Sequence, residues 1–308
     1  MAEHPEPSAR ARELVRGGYD LHIHIAPDVM QRRITDLELA QRFRDVGLAG
    51  FALKSHYLPT AERAAVVTAA VPGVRVFGAL TLNGSVGGMN PIAAELSGRS
   101  GAGIVWLPTV DSGNQRRSRA QDPPGAKPPM WGKLQDELRE AGISCPPIEV
   151  LDGDGKVTEE TRQVLRVIAA HDMVLATGHL SRDEIDAAVD AAVDEGVERI
   201  MVTHPEFTSQ RLSIADQQRL AECGALLERC FTTAYTGKVE WSEMFDAVRA
   251  TGPEHSVFSS DLGQPFNPPV EDGLALMADF YLEAGFSEDD VRTMAVTNTN
   301  RLIGGATR

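Results

Sequence analysis

The chain has 308 residues and a formal net charge of −14, with 42% of its residues hydrophobic. That charge argues against nonspecific nucleic-acid binding, because phosphates are repelled, while the length and apolar content suit one large α/β domain. Three cysteines, Cys145, Cys223 and Cys230, lack zinc-ribbon spacing and leave one over from any pairing, as expected of thiols in a reducing compartment.

Residues 1–16 form a polar N-terminal tail with no signal-type apolar run. No stretch approaches the roughly 18–20 apolar residues of a membrane helix, so a soluble, cytoplasmic protein with no membrane partner is expected. The first strand is predicted over 19–26. Its alternation puts Asp20, His22 and His24 on one face and Leu21, Ile23 and Ile25 on the other. Two imidazoles two residues apart on one strand reach a single divalent cation. A helix follows from Thr35, an N-cap with Glu38 three residues on, to Val46, where Gly47 stops it.

Further strands are predicted over 50–56, 74–82, 103–109, 173–179, 199–204, 225–231 and 256–261. Helical stretches lie between or after them, near 60–70, from Pro91, from Ser181 to about 195, and near 213–222, 240–250, 270–284 and 287–297. The strands read as buried on both faces, as parallel strands are. Eight β–α units predict a single-domain (β/α)8 TIM barrel spanning 1–308. An open doubly wound sheet competes, but no Gly-X-Gly-X-X-Gly turn follows the first strand.

One connection is too long. Residues 111–157 form an insertion after strand four, with Pro123-Pro124, Pro128-Pro129 and Pro146-Pro147, the basic cluster Arg116, Arg117 and Arg119, and a helical pattern at 132–141. Residues 148–157 read as a hairpin about an Asp-Gly turn, and their Asp-Gly-Asp-Gly is not a calcium loop. Leaving the C-terminal end of strand four, the insertion overhangs the active-site face, as a lid or specificity loop or else as a subunit contact.

The polar outliers fall at strand ends: His22 and His24 on strand one, Lys54 and His56 on strand two, His179 on five, His204 on six and Asp261 on eight. Barrel enzymes draw their catalytic groups from these ends. Imidazole nitrogens and a carboxylate suit a catalytic divalent metal, most simply zinc, with manganese or iron also compatible. Such an ion lowers the pKa of bound water towards about 7. Asp261 is the natural group to take the water's proton.

With Asp20-Leu21-His22-Ile23-His24, His179, His204 and Asp261 in this order, and Thr297 to Gly304 as a closing helix, the chain resembles the amidohydrolase superfamily over roughly 19–303. The resemblance implies His22 and His24 as ligands of one metal. It implies His179 and His204 as ligands of a second, or as groups that polarise substrate. It implies Asp261 as ligand and proton shuttle. The chain departs from the common pattern on strand four, where Trp106-Leu107-Pro108-Thr109 offers no bridging lysine or glutamate. Lys54, on strand two, is the replacement to consider. It is either carboxylated and bridging two ions, or neutral, or facing an anionic substrate, or paired with Asp20 or Glu206. The number of ions, one or two, depends on it.

The polymerase-and-histidinol-phosphatase phosphoesterases are the rival resemblance. They fit the first segment through His56, which remains a metal-ligand candidate under either reading. They expect Thr-Asp-His where Lys54-Ser55-His56 stands and a histidine after the last aspartate, where the chain has Leu262-Gly263-Gln264. Arg32 and Arg33 after strand one are candidates to clamp a substrate carboxylate or phosphate. Asn83, at the end of strand three, and Glu206, two past His204, are further substrate-binding candidates. Glu228 shares a face with Cys230 on strand seven and reads as a buried ion-pair partner.

The reading is a metal-dependent hydrolase of a C–N or C–O bond in a small, anionic amide, cyclic amide or lactone, with homo-oligomerisation open. Phosphoester hydrolysis, non-oxidative decarboxylation and a non-enzymatic metal-binding scaffold are the alternatives.

Overall fold

The computed structural model describes residues 4–121 and 128–304. Eight parallel strands pair in chain order: β1 (Tyr19–Ile23), β2 (Gly50–Leu53), β3 (Arg75–Thr81), β4 (Ala102–Trp106), β5 (Val174–Ala176), β6 (Ile200–Val202), β7 (Leu226–Cys230) and β8 (Ser256–Ser259). The ring closes just past β8. Ile23 bridges Leu262 in parallel, the Asp261 amide donates to the His22 carbonyl (2.8 Å), and the His24 amide donates to the Leu262 carbonyl (2.8 Å). The fold is a single (β/α)8 barrel.

Local sequence chemistry sets the helices. Thr35 and Glu38 close a capping box on Asp36–Val46, and Gly47 ends it in the left-handed conformation at φ 82°. Ser181 and Glu184 do the same for Arg182–Asp194. Pro91 opens Pro91–Arg99, as a ring without an N–H can at a first turn. Four helices escape the periodic reading: Ala9–Leu14 in the tail, the very polar Gly113–Ala120, Glu159–Ala170, and the short Phe231–Tyr235 directly after β7. The first docks through Ser8 on Asp279 and Arg12 on Asp272. The predicted 287–297 helix is broken into Glu288–Arg292, a wider π turn over Thr293–Thr297, and Asn298–Ile303. The expected 148–157 hairpin is reduced to one antiparallel bridge, Leu151 to Val157, around the Asp152–Lys156 turn.

Alternation along β1 is not regular. Its pairing with β2 shifts register between Asp20 and Ile23. Leu21 packs inside the barrel with Ala52, Ile104 and Trp106, while Ile23 packs in the outer layer with Phe43 and Phe258. The expectation that Leu21 shares a face with Ile23 and Ile25 is therefore corrected. An extra residue in the ladder lets Leu21 fill the barrel and still turns His22 inward above it. Asp20 is fully buried, its Oδ1 accepting from the Ser260 amide (3.0 Å) and the His22 amide (3.3 Å).

Gly263 sits beside this closure at φ 129°, where an added Cβ would strike the His24 carbonyl. Replacing Gly263 by Ala is expected to cost about 2–4 kcal/mol, since both the backbone and the seam must shift. Gly153→Ala, where nothing lies within 4 Å, should stay within about 0.5 kcal/mol of the parent. Urea unfolding of the two variants checks the contrast, and equal losses would refute it.

Candidate active site and metal centre

The paired strands end earlier than predicted. His24, Lys54, His56, His179, His204 and Asp261 all lie just past the last residues of β1, β2, β5, β6 and β8, with His22 inside β1. They converge on one cavity of ≈260 Å³. His204 and Asp261 hold positive φ (24° and 52°), a strained region for residues with a Cβ. Both end strands where the backbone must turn sharply to bring a side chain over the barrel axis.

Nε2 of His22 lies 3.3 Å, and Nε2 of His24 3.2 Å, from Oδ1 of Asp261. Oδ2 of Asp261 accepts a hydrogen bond from Thr232 (2.9 Å). The imidazoles form a continuous cluster. His24 stacks on His56 with centroids 4.7 Å apart, and His204 lies 5.0 Å from His179 and 5.9 Å from His22. Phe207 covers the far side at 4.8 Å from His204 and 6.1 Å from His179.

Burial decides protonation here. It pushes His24 and His204 down to about 3, and His56 and His179 well below the usual imidazole range. Burial also pulls Lys54 down to about 8. Burial acts to raise the Asp261 carboxyl, but His22, the hydrogen bond with His24 and the charge of Lys54 together hold it well below its ordinary value. The mouth of the barrel thus presents neutral imidazoles around an ionised carboxylate, the protonation states that metal ligation requires.

The donor chemistry fits a divalent ion. Among the described residues, ligand atoms of His22, His24 and Asp261 lie within 4.8 Å of one another, a nitrogen and oxygen set suited to zinc, manganese or iron. Nδ1 of His22 lies 3.1 and 3.2 Å from the two oxygens of Glu228, which is fully buried on β7. A carboxylate only accepts, so His22 carries its proton on Nδ1 and turns the Nε2 lone pair to the cavity. Nδ1 of His179 and of His204 are buried and without hydrogen-bond partners. The amine of Lys54 lies 2.8 Å from Nε2 of His22 and 5.0 Å from the Trp106 ring centroid. One lone pair cannot serve both an ammonium and a cation, so Lys54 and an ion compete for His22.

Four expected substrate contacts divide. Arg32 lines the cavity, its side chain 3% exposed and its Nε donating to Asp28 (2.6 Å). Arg33 does not line it. Its guanidinium donates to the carbonyls of Pro265 and Asn267 and braces that loop. Asn83 is fully buried, and its whole amide is spent on His56, Thr109 and Asp111. Glu206 turns away from the cavity to pair with Arg229 behind β7, because a buried guanidinium must find an anion. Lys54 accordingly pairs with neither Asp20 nor Glu206 among the described contacts.

The insertion reaches the cavity. Pro129, Met130 and Trp131, at the start of the helix Met130–Glu140, form part of its wall. Its basic cluster does not line the cavity: Arg116 pairs with Asp111, Arg117 with Glu149 and Arg119 with Asp136. Pro123-Pro124 lie outside the described residues. Sequence reading missed Phe207, Thr232 and Lys238 as cavity residues. It weighed Glu228 only as an ion-pair partner, although a carboxylate at the inward position of β7 was a readable signal.

Residues 17–228 match a family described as "Family of unknown function (DUF6282)". No curated protein matches the chain in sequence. Solved structures share the fold. The probable dipeptidase PvdM from Pseudomonas aeruginosa aligns at TM-score 0.62 and 13% identity, over 96% of this chain and 97% of that one. A phosphotriesterase homology protein from Escherichia coli, complexed with phosphate in its active site, aligns at 0.59 and 13% over 93% and 98%. An amidohydrolase from Pseudomonas aeruginosa aligns at 0.57 and 10% over 96% and 98%. Likeness at these identities establishes the barrel, the fold that the amidohydrolase resemblance implies. No helix among the described residues is long and apolar enough to cross a membrane.

The depressed histidines carry a pH signature. Unfolded, each titrates near 6.5; folded, His24 and His204 titrate near 3. Between these values the unfolded chain binds more protons. Their contribution to stability is full above pH 6.5 and is lost as pH falls towards 3. The metal-free protein should therefore lose urea resistance steadily as pH falls from about 6.5 towards 3, and His24→Gln with His204→Gln should flatten that loss. An unchanged slope in the double variant would count against neutral buried imidazoles.

Proposed function

We propose that this chain, which belongs to the DUF6282 family, is a metal-dependent hydrolase that cleaves a C–N or C–O bond in a small, anionic amide, cyclic amide or lactone. The observation that carries the reading is the convergence of His22, His24 and Asp261 at the closed seam of the barrel, with the His24 imidazole kept neutral and the Asp261 carboxylate ionised. These residues, with His204 and His179 beside them, would hold zinc or a similar ion. Bound there, the ion would supply a water of lowered pKa and a Lewis acid.

The chain's own groups account for the rest. Asp261, ionised and oriented by Thr232, is placed to take a proton from water and pass it to a leaving nitrogen or oxygen. Met30, Met130, Trp131 and Phe207 supply apolar wall to the cavity, which admits only a small body. Lys238, 4.4 Å from the centroid of Phe207, biases the cavity towards an anion, while the charge of Arg32 in the wall is matched by Asp28. Phosphoester hydrolysis is the second reading. It is favoured by the same cationic lining and by the phosphate in the active site of the Escherichia coli relative.

Elemental analysis of protein purified without chelators should find metal on the parent and little on His22→Ala/His24→Ala. A panel of anionic amides, cyclic amides and lactones, run beside phosphate monoesters, should show turnover that the double variant and chelation both abolish. Metal content and turnover that survive the double substitution would sink the proposal. Lys238→Met should lower kcat/KM for anionic substrates by about tenfold at low salt, with little effect on neutral analogues. An equal loss on both would remove Lys238 from anion recognition.

A further inference from the structure

His56 lines the same cavity, yet the two groups of mutually close ligand atoms among the described residues both omit it. Its hydrogen bonds can be followed to a fixed end. Oδ1 of Asn83 accepts from the backbone amides of Thr109 (2.9 Å) and Asp111 (3.3 Å), and Nδ2 donates to the carbonyl of His56 (2.9 Å). Backbone groups have no ambiguity of role, so the orientation of this amide is settled. The remaining Nδ2 proton then goes to Oγ1 of Thr109 (2.7 Å).

That hydroxyl has become an acceptor, and it keeps one proton of its own. Its other partner is Nδ1 of His56, at 2.8 Å. Thr109 is fully buried, so a hydroxyl proton aimed elsewhere would go unpaired, at a cost of about 1–3 kcal/mol. The hydroxyl therefore donates to Nδ1. A neutral imidazole that accepts on Nδ1 carries its proton on Nε2.

His22 is wired in the opposite sense, with Nδ1 donating to Glu228 and a lone pair on Nε2. A metal needs a lone pair on the nitrogen that faces it. His22 presents one; His56 has spent its own on Thr109.

We infer that His56 is not a metal ligand. Locked by Asn83 and Thr109 as the Nε2–H tautomer, it is a neutral hydrogen-bond donor to an anionic oxygen bound in the cavity, stacked against His24. As an oxyanion donor it rests on the hydrolase reading; as a non-ligand donor to a bound anion it does not. It also gives Asn83 and Thr109 a task, as positioning residues that never touch substrate. A donor of this kind acts most strongly where charge builds in the transition state, and its loss elsewhere costs about 10²–10³ in kcat.

The experiment uses full-length protein labelled with ¹⁵N-histidine and loaded with ¹¹³Cd or zinc, with inorganic phosphate as the anion probe. Long-range ¹H–¹⁵N spectra, assigned by the signals lost in His56→Gln, should show Nε2 protonated, Nδ1 unprotonated and no ¹¹³Cd coupling to His56. Thr109→Val should release the tautomer and Thr109→Ser restore it. Metal per chain should be unchanged in His56→Gln and His56→Ala. Phosphate affinity should fall about 10–100-fold in His56→Ala, the range of a hydrogen bond to a charged group, and less in His56→Gln, whose amide still donates. Cadmium coupling to His56, an unprotonated Nε2, or metal lost with His56→Gln would overturn the inference. So would equal phosphate affinity in parent and His56→Ala. A panel with no turnover would remove the hydrolase reading and leave these outcomes decisive for His56 as a donor.

Discussion

The active face of this barrel depends on the seam where β1 meets the residues that follow β8. Two backbone hydrogen bonds, from Asp261 to His22 and from His24 to Leu262, close the ring. The same bonds bring a carboxylate from near the end of the chain against two imidazoles from its beginning. Asp261 adopts a positive φ to make this turn, and Gly263 leaves the room that His24 needs. Strain at these positions is tolerated because the hydrogen-bonded ring leaves the backbone no alternative path.

Around the seam, the governing cost is that of burying polar groups. Seven titratable side chains from the strand ends, with Arg32 and Lys238 beside them, meet in a small cavity, and a low-dielectric setting forbids leaving them all charged. The structure resolves this by keeping His24, His56, His179 and His204 neutral and concentrating negative charge on Asp261 and Glu228. The amine of Lys54 lies at the centre of the cluster, against the His22 nitrogen that an ion would take. The site is thus built around a positive charge at that point, whether an ammonium or a metal supplies it.

Beneath the cluster, outer hydrogen bonds distinguish histidines that look alike. Glu228 turns the Nε2 lone pair of His22 towards the cavity, whereas the chain from Asn83 through Thr109 makes His56 a neutral hydrogen-bond donor. Farther out, Arg229 captures Glu206 and ties it to the layer behind β7. The insertion uses its arginines on its own acids, which leaves the start of the Met130–Glu140 helix free to lie over the cavity.

The sequence alone determined what local pattern controls. Strand positions followed from apolar runs, helix starts from Thr35 with Glu38 and from Ser181 with Glu184, and the barrel from eight repeated β–α units. The placing of His22, His24, His179, His204 and Asp261 at strand ends followed as well, because strand ends in a parallel barrel share one face. Tertiary structure decided everything that hangs on a partner distant in the chain. The shift in β1 turns Leu21 inward because the barrel must be filled. Glu206 leaves the cavity because Arg229, buried behind β7, must be neutralised. Asn83 stays out of the cavity lining because the backbone around Thr109 claims its amide. A motif fixes which groups arrive at the mouth of a barrel; only packing and hydrogen-bond accounting fix which atom each of them presents.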